Sequence, residues 1–284
     1  MTGILWLASY PKSGNTWLRA FIANYLRDGD APVPINELYY FNFGDDVALY
    51  YEWMTGRPKD SFTEQELWAL RPQVHRYLAS LTRETTLVKT HHVAGVRDDG
   101  TPIITPDVTD GAIYVLRNPM DVVVSLAHHY QLDMESAVTR ICTPNDIIPG
   151  VPGEKLPQLI GSWHQHVRSW TRAPGLQPHV MRYEDMLTKP SPTFRELVKF
   201  LGAPLTAKRL QKAIRFASFD TLNKQERESG FNEARPDDAS RFFREGRTGQ
   251  WRDLLTQDQV KRMIEAHGET MRAFGYLDKK GRPV

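Results

Sequence analysis

The chain has 284 residues, 40% hydrophobic and 25% charged, enough apolar material for a substantial core, which excludes disorder as a whole. Thirty-six Lys and Arg against 34 Asp and Glu leave a formal net charge of +2. That balance is too weak for nucleic acid or an anionic membrane to be the main partner, so any basic site is local. No apolar run approaches the about 20 residues that span a bilayer, and Met1-Thr2-Gly3 leads into its apolar segment without the features of a signal peptide. A soluble, cytoplasmic protein is expected. The one cysteine, Cys142, can form neither an intrachain disulfide nor a multi-cysteine zinc site.

Ile4-Leu5-Trp6-Leu7-Ala8 is a short continuous apolar run of the kind found in a strand buried on both faces. After Pro11-Lys12-Ser13-Gly14, the apolar positions Trp17, Leu18, Phe21, Ile22, Tyr25 and Leu26 repeat at helical spacing until Asp28-Gly29-Asp30 stops them. A second unit of strand, loop and helix begins at Ala112-Ile113-Tyr114-Val115-Leu116, where Asn118 suits a helix cap and Pro119 the first helical position. Further strands are predicted at Thr86 to Lys89 and His179 to Arg182. Helices are predicted near Leu156 to Arg172, Thr193 to Leu201, Ala207 to Phe216 and Asp258 to Phe274. Alternating strands and helices predict one α/β domain with a central, mostly parallel sheet flanked by helices, in which ligands sit at the carboxyl ends of strands.

Three stretches depart from this pattern. Asp28 to Glu66 carries nine acidic residues against Arg57 and Lys59, a net charge of −7, together with Tyr39, Tyr40, Phe41, Phe43, Tyr50, Tyr51 and Trp53. Thr143 to Pro157 is dense in Pro and Gly and reads as a loop. Asn223 to Ser240 is polar and almost without aliphatic residues, which predicts a lid-like segment.

The loop Ser9 to Trp17 joins a buried strand to a helix start, where unpaired backbone N–H groups and the helix dipole favour an anion, and Lys12, Ser13 and Thr16 add side-chain donors. A phosphate or sulfate suits it, but the loop lacks the Gly-x4-Gly-Lys-Ser/Thr pattern of nucleoside triphosphatases. From its chemistry alone it reads equally as an ordinary strand-to-helix turn. Arg117, at a strand's carboxyl end, offers a bidentate phosphate contact, and Arg241, Arg244, Arg247 and Arg252 against Glu245 form a second local basic stretch of net +3.

Tyr10-Pro11-Lys12-Ser13-Gly14-Asn15-Thr16-Trp17 resembles the 5′-phosphosulfate-binding loop of cytosolic-type sulfotransferases that use 3′-phosphoadenosine 5′-phosphosulfate, PAPS. Tyr114-Val115-Leu116-Arg117-Asn118-Pro119 through Ser125 is similar to that family's 3′-phosphate motif. Arg244-Glu245-Gly246-Arg247-Thr248-Gly249-Gln250-Trp251-Arg252 resembles its Arg-Lys-Gly-x-x-Gly-x-Trp-Lys segment. Lys89-Thr90-His91 resembles the segment that supplies the catalytic base, and Tyr183-Glu184-Asp185 one of the nucleotide pocket. The five motifs stand in family order from Ser9 to Arg252, and the opening segment looks most like bacterial members. The resemblance implies sulfuryl transfer from PAPS to a hydroxyl of a small-molecule acceptor, phenolic or a natural product, with PAP as the other product.

It also implies the site. Lys12, Ser13, Gly14, Asn15, Thr16, Trp17, Arg117, Ser125, Tyr183, Ser218, Phe219, Arg244, Glu245 and Gly246 would hold the nucleotide, and His91, Lys12, Lys89 and Ser125 would serve the transfer. His91 competes with its neighbour His92; adjacent residues on an extended segment face opposite sides, so one of the two reaches an acceptor, and the resemblance selects His91. The mechanism calls for no metal, and neither His128-His129 nor His164/His166 has the i, i+4 spacing of a helical metal pair. Asn15, Glu245 and Ala217 depart from the family pattern and put nucleotide affinity in question. The rival readings are a P-loop kinase and a non-catalytic PAP-binding protein.

Overall fold

In a computed structural model, which describes residues 3–234 and 241–284, the first apolar run forms β1 (Ile4–Ser9), every residue of it buried. The chain then divides into two compact units, each drawn from three separate segments. One takes in the described chain up to Tyr10 with Asn42–Tyr114 and Arg140–Val180; the other takes in Pro11–Phe41, Val115–Thr139 and the described residues from Met181 onward.

A five-stranded sheet runs in the order β2-β3-β1-β4-β7, with β2 at Phe43–Gly44, β3 at Thr86–Thr90, β4 at Thr109–Leu116 and β7 at His179–Arg182. β1 and β2 both pair in parallel with β3, Ala8 opposite Thr90 and Gly44 opposite Lys89. The strand predictions therefore hold, and the α/β class with them. Trp6, fully buried in β1, donates its indole N–H to the Thr109 hydroxyl at 2.9 Å, which answers the need of a buried indole for an acceptor.

The first unit adds α2 (Leu49–Thr55) packed on α3 (Glu64–Ser80), and α6 (Trp163–Thr171). Thr63 starts α3 and Ser162 starts α6, each with a reciprocal capping box. The predicted helix from Leu156 is thereby corrected: Ser162 is its cap, and Gln158–Leu159 ahead of it is a strand, β6, paired antiparallel with β5 (Ile147–Ile148). The Pro- and Gly-rich stretch before it is a clip rather than a plain loop, since Leu156 N–H donates to Asp46 C=O at 2.7 Å and Ala48 N–H to Glu154 C=O at 3.0 Å.

The second unit is built on α1 (Asn15–Arg27), whose Phe21 stacks on Phe194 of α8 (Pro190–Phe200) with ring centroids 4.0 Å apart. α4 (Pro119–Tyr130) begins as its sequence predicts, the Asn118 side chain accepting from Met120 N–H at 3.0 Å. α7 (Tyr183–Thr188), α9 (Ala207–Phe216), α10 (Phe219–Ser229), α11 (Trp251–Leu254) and α12 (Gln257–Ala273) follow, while α5 (Met134–Cys142) falls across both units. Asn223–Ser229, taken from composition as the start of a lid, belongs to α10, and the stretch 235–240 lies outside the described residues. Among the described residues no helix is long and apolar enough to cross a membrane.

Candidate active site

In the second unit, the loop before α1 turns through two left-handed residues, Lys12 at φ 65° and Gly14 at φ 105°. A side chain on Gly14 would start 2.8 Å from the Tyr183 ring, so glycine is demanded by both the turn and the approach. Arg117 is almost wholly buried; it donates to the Lys12 carbonyl at 3.1 Å and the Arg247 carbonyl at 3.4 Å, with its guanidinium 4.3 Å from the centre of the Tyr183 ring. One side chain thus ties the first loop to the C-terminal basic segment. Two buried donors here, the Ser13 hydroxyl and the Arg117 Nε–H, have no partner among the described residues. A buried donor left unmade costs about 1–3 kcal/mol, and beside a helix N-terminus an anion is the ligand that relieves it.

The remaining nucleotide candidates cluster in the same unit. The Trp17 ring meets Tyr183 edge-on, centroids 5.5 Å apart, and Gly246, at φ 60°, lies so close under Phe219 that an added Cβ would reach 2.3 Å from that ring. Asn15 and Thr16 open α1 and are buried; Ser218 caps α10 by accepting from Thr221 N–H, and Ser125 is half-buried in the second turn of α4. The Lys12 ammonium stands 3.8 Å from the centre of the Phe242 ring. Asp121, buried in the first turn of α4, accepts from Gly249 N–H at 2.7 Å and Trp251 N–H at 3.3 Å, which fixes the basic segment to that helix. Glu245 is not free to contact a phosphate: its two oxygens accept from Arg244 and Arg247.

In the first unit, His91 Nδ1 lies 2.8 Å from the Ser9 carbonyl. A carbonyl only accepts, so Nδ1 carries the proton and Nε2 is left with its lone pair. Behind it His166, fully buried, donates from Nε2 to the His91 carbonyl at 3.1 Å and accepts at Nδ1 from the Tyr114 hydroxyl at 2.8 Å. The His91 ring is thus held at Nδ1 by Ser9, whose hydroxyl also lies 3.3 Å away, and its backbone by His166. Burial first, then the Lys89 ammonium, push the His91 pKa down to about 3.

His92, at a bend just past the end of β3, has different partners. It is wholly buried, its Nδ1 accepts from Leu159 N–H at 3.2 Å, and its carbonyl accepts from the Trp170 indole at 2.8 Å. Next to Lys89 across the sheet, consecutive acids leave β2 in different directions. Asp45 forms a buried ion pair with Arg71. Asp46, also buried, accepts from Lys155 at 3.3 Å and from the Gln158 amide at 3.1 Å. Burial pushes the Asp46 carboxyl up, but Lys89, Lys155 and His91 together outweigh it and hold the group below its ordinary value.

A family model described as the sulfotransferase domain matches residues 3–275. The chain belongs to the sulfotransferase family. Among its relatives, flavonol 3-sulfotransferase of Flaveria bidentis is 25% identical over 97% of this chain and 84% of its own length. Sulfotransferase 1A1 of Canis lupus familiaris is 24% identical over 95% and 84%. In fold the chain is similar to a retinol dehydratase solved in complex with androsterone and the inactive cofactor PAP, with a TM-score of 0.62 and 18% identity over 94% of this chain and 80% of that one.

For a sulfotransferase, the grouping is informative. Lys12 to Trp17, Arg117, Ser125, Tyr183, Ser218, Phe219 and the Arg244-Glu245-Gly246 segment all belong to the second unit, and Lys89 and His91 to the first. Sequence reasoning missed Asp46, His166, Asp121 and Phe242. Asp121 carried a faint signal as an acid in the first turn of a helix, where it suits the dipole. His166 and Asp46 carried none, because their partners are distant in the chain.

Proposed function

We propose that this sulfotransferase takes the sulfuryl group from PAPS with the residues of its second unit and activates the acceptor hydroxyl with His91. The carrying observation is Arg117: buried, bonded to two carbonyls, and with a donor still unmade beside the Ser13 hydroxyl. An anion of two phosphate groups fits such cationic contacts at two places, Lys12 with Ser13 for the phosphosulfate and Arg117 with Arg244 for the 3′-phosphate. Trp17, Tyr183 and Phe219 supply ring surface for the adenine. PAPS, when bound, supplies an activated sulfuryl group and a leaving phosphate. Lys12 and Lys89 then balance the charge that develops on the oxygens, in the manner of phosphoryl transfer. His91 Nε2 accepts the hydroxyl proton as that oxygen attacks. These roles call for no metal ion, and the work is done in the cytoplasm.

PAP should raise the melting temperature by mass action. Arg117→Ala and Arg244→Ala should remove most of that shift, while Arg57→Ala, which loses an exposed pair with Glu66, should keep it. Stabilisation by ATP rather than PAP, or no shift at millimolar PAP, would sink the assignment. A turnover assay with PAPS separates an enzyme from a protein that only binds PAP.

For the acceptor we infer a neutral or cationic small molecule bearing a phenolic or alcoholic hydroxyl. The acids between Asp28 and Glu66 outnumber the bases there, and although Asp28, Asp45 and Asp46 are paired with Lys212, Arg71 and Lys155, the excess negative charge opposes a polyanion over a screening length of about 10 Å. The aromatic residues of that stretch divide: Tyr39, Tyr40 and Trp53 are exposed, whereas Tyr50 and Tyr51 are buried. In competition, phenols and steroid alcohols should outrun anionic glycans, and Tyr50→Ala should slow phenol turnover; the reverse order would remove this inference.

A further inference from the structure

Glu245 carries the wrong charge for a segment that binds phosphate, and its contacts say what that charge does. One carboxylate oxygen accepts from Arg244 Nη1 and the other from Arg247 Nε. Arg244 spends its second Nη on the Gln250 side-chain oxygen, and Gln250 in turn donates to the Arg247 carbonyl at 3.2 Å. The cluster is rigidly placed, since Asp121 holds the N–H groups of Gly249 and Trp251 and Arg117 donates to the Arg247 carbonyl. It is only partly shielded, with side chains 30% exposed at Arg244, 29% at Glu245 and 58% at Arg247. Glu245 is therefore within reach of a ligand that would trade places with it. The Arg247 and Arg244 charges hold its carboxyl below the ordinary value, so it stays ionised through the neutral range.

We propose that Glu245 is a built-in competitor for the nucleotide's phosphate: its carboxylate and the phosphate use the same guanidinium N–H groups, and nucleotide binds by releasing Arg244 from Glu245. This rests on the reading that Arg244 holds the 3′-phosphate. Carboxylate and phosphate oxygens both accept charge-assisted hydrogen bonds from a guanidinium, so the exchange keeps Arg244 Nη1 satisfied in both states. The cost falls on affinity, because one favourable ion pair is lost for each one made. The gain falls on product release. A nucleotide that has given up its sulfuryl group still carries two phosphates, and where departure of such a product limits turnover, a resident carboxylate speeds it.

The test is calorimetric titration with PAP. Glu245→Gln keeps the shape and removes the charge, and it should bind PAP about tenfold more tightly than the parent, as expected when one charge-assisted competitor is lost. Glu245→Ala should do the same, which guards against a new amide contact. PAP should also become a stronger product inhibitor in both. An affinity within twofold of the parent, or a weaker one, overturns the proposal; the weaker result would mean that Glu245 positions the arginines for the nucleotide. Arg244→Ala distinguishes the two levels. If it weakens PAP binding while Glu245→Gln changes nothing, competition fails and the reading of the site stands. If Arg244→Ala and Arg117→Ala both bind PAP as the parent does, the reading of the site itself falls.

Discussion

Turnover by His91→Ala should fall about 10² to 10⁴-fold while the stabilisation by PAP is kept, since loss of a general base costs rate and the nucleotide contacts lie on other residues. The argument is one of tautomer. Because the Ser9 carbonyl takes the Nδ1 proton, the lone pair of Nε2 is defined before any acceptor arrives. Burial and Lys89 keep the ring neutral, so the base form is fully populated at neutral pH and well below it. His92→Ala is expected to behave differently. It removes a wholly buried ring that accepts from Leu159 N–H and sits edge-on to Trp68, so stability drops by about 2–4 kcal/mol, while activity per folded molecule stays within tenfold of the parent. Equal kinetic damage from both substitutions, with both proteins folded, would undo the assignment.

Folding stability should fall in mild acid. His75, His92 and His166 are all but inaccessible, and burial first of all holds each pKa below the ordinary 6.5, that of His166 at about 3. For His92 the reason is visible in the bonding: protonation would place a hydrogen between Nδ1 and the Leu159 N–H that already donates to it. The unfolded chain thus binds protons that the folded chain refuses. Stability is full above about pH 6.5 and falls as the pH drops below it, by at most about 1.4 kcal/mol per pH unit for each group. Asp45, whose carboxyl is raised chiefly by burial, acts with the opposite sign, one group against these three and His91, which is lowered as well. Against an ordinary stability of about 5–15 kcal/mol, a measurable loss of stability between pH 7.5 and pH 5.5 is expected. Urea titrations at pH 7.5, 6.5 and 5.5 measure the slope, and a flat profile would contradict neutral, buried histidines.

The strands β1, β3, β4 and β7, the helix after the first loop and the cap at Asn118 were all legible in the sequence because each follows from neighbours in the chain. A strand buried on both faces reads as an unbroken apolar run, and a cap is a short-range hydrogen bond. α3 was not legible. Its buried stripe is Trp68, Arg71, Val74, His75, Leu78 and Ala79, with an arginine and a histidine at core positions that make no apolar periodicity. They are tolerable there only because Arg71 finds Asp45 and the Ile103 carbonyl, and His75 the Thr105 hydroxyl. The helix predicted from Leu156 failed for the converse reason: its apolar residues are satisfied by a β clip whose partners, Asp46 and Ala48, lie far back in the chain.

The candidate site divides along the same line. By itself the sequence determined the motif order and the residue types, since chemistry that lives in a contiguous loop needs no partner to be read, while between His91 and His92 it left the choice to the resemblance. Only the tertiary structure decided which nitrogen of His91 keeps its lone pair, that His166 holds its carbonyl, and that Asp46 stands beside Lys89 because β2 pairs with β3. It also showed what Glu245, which the sequence marks as a departure from the family pattern, contacts: its two oxygens accept from Arg244 and Arg247. Each of these is a hydrogen bond or ion pair between residues whose meeting depends on the packed chain, and a charge written in a sequence does not say which opposite charge it will face.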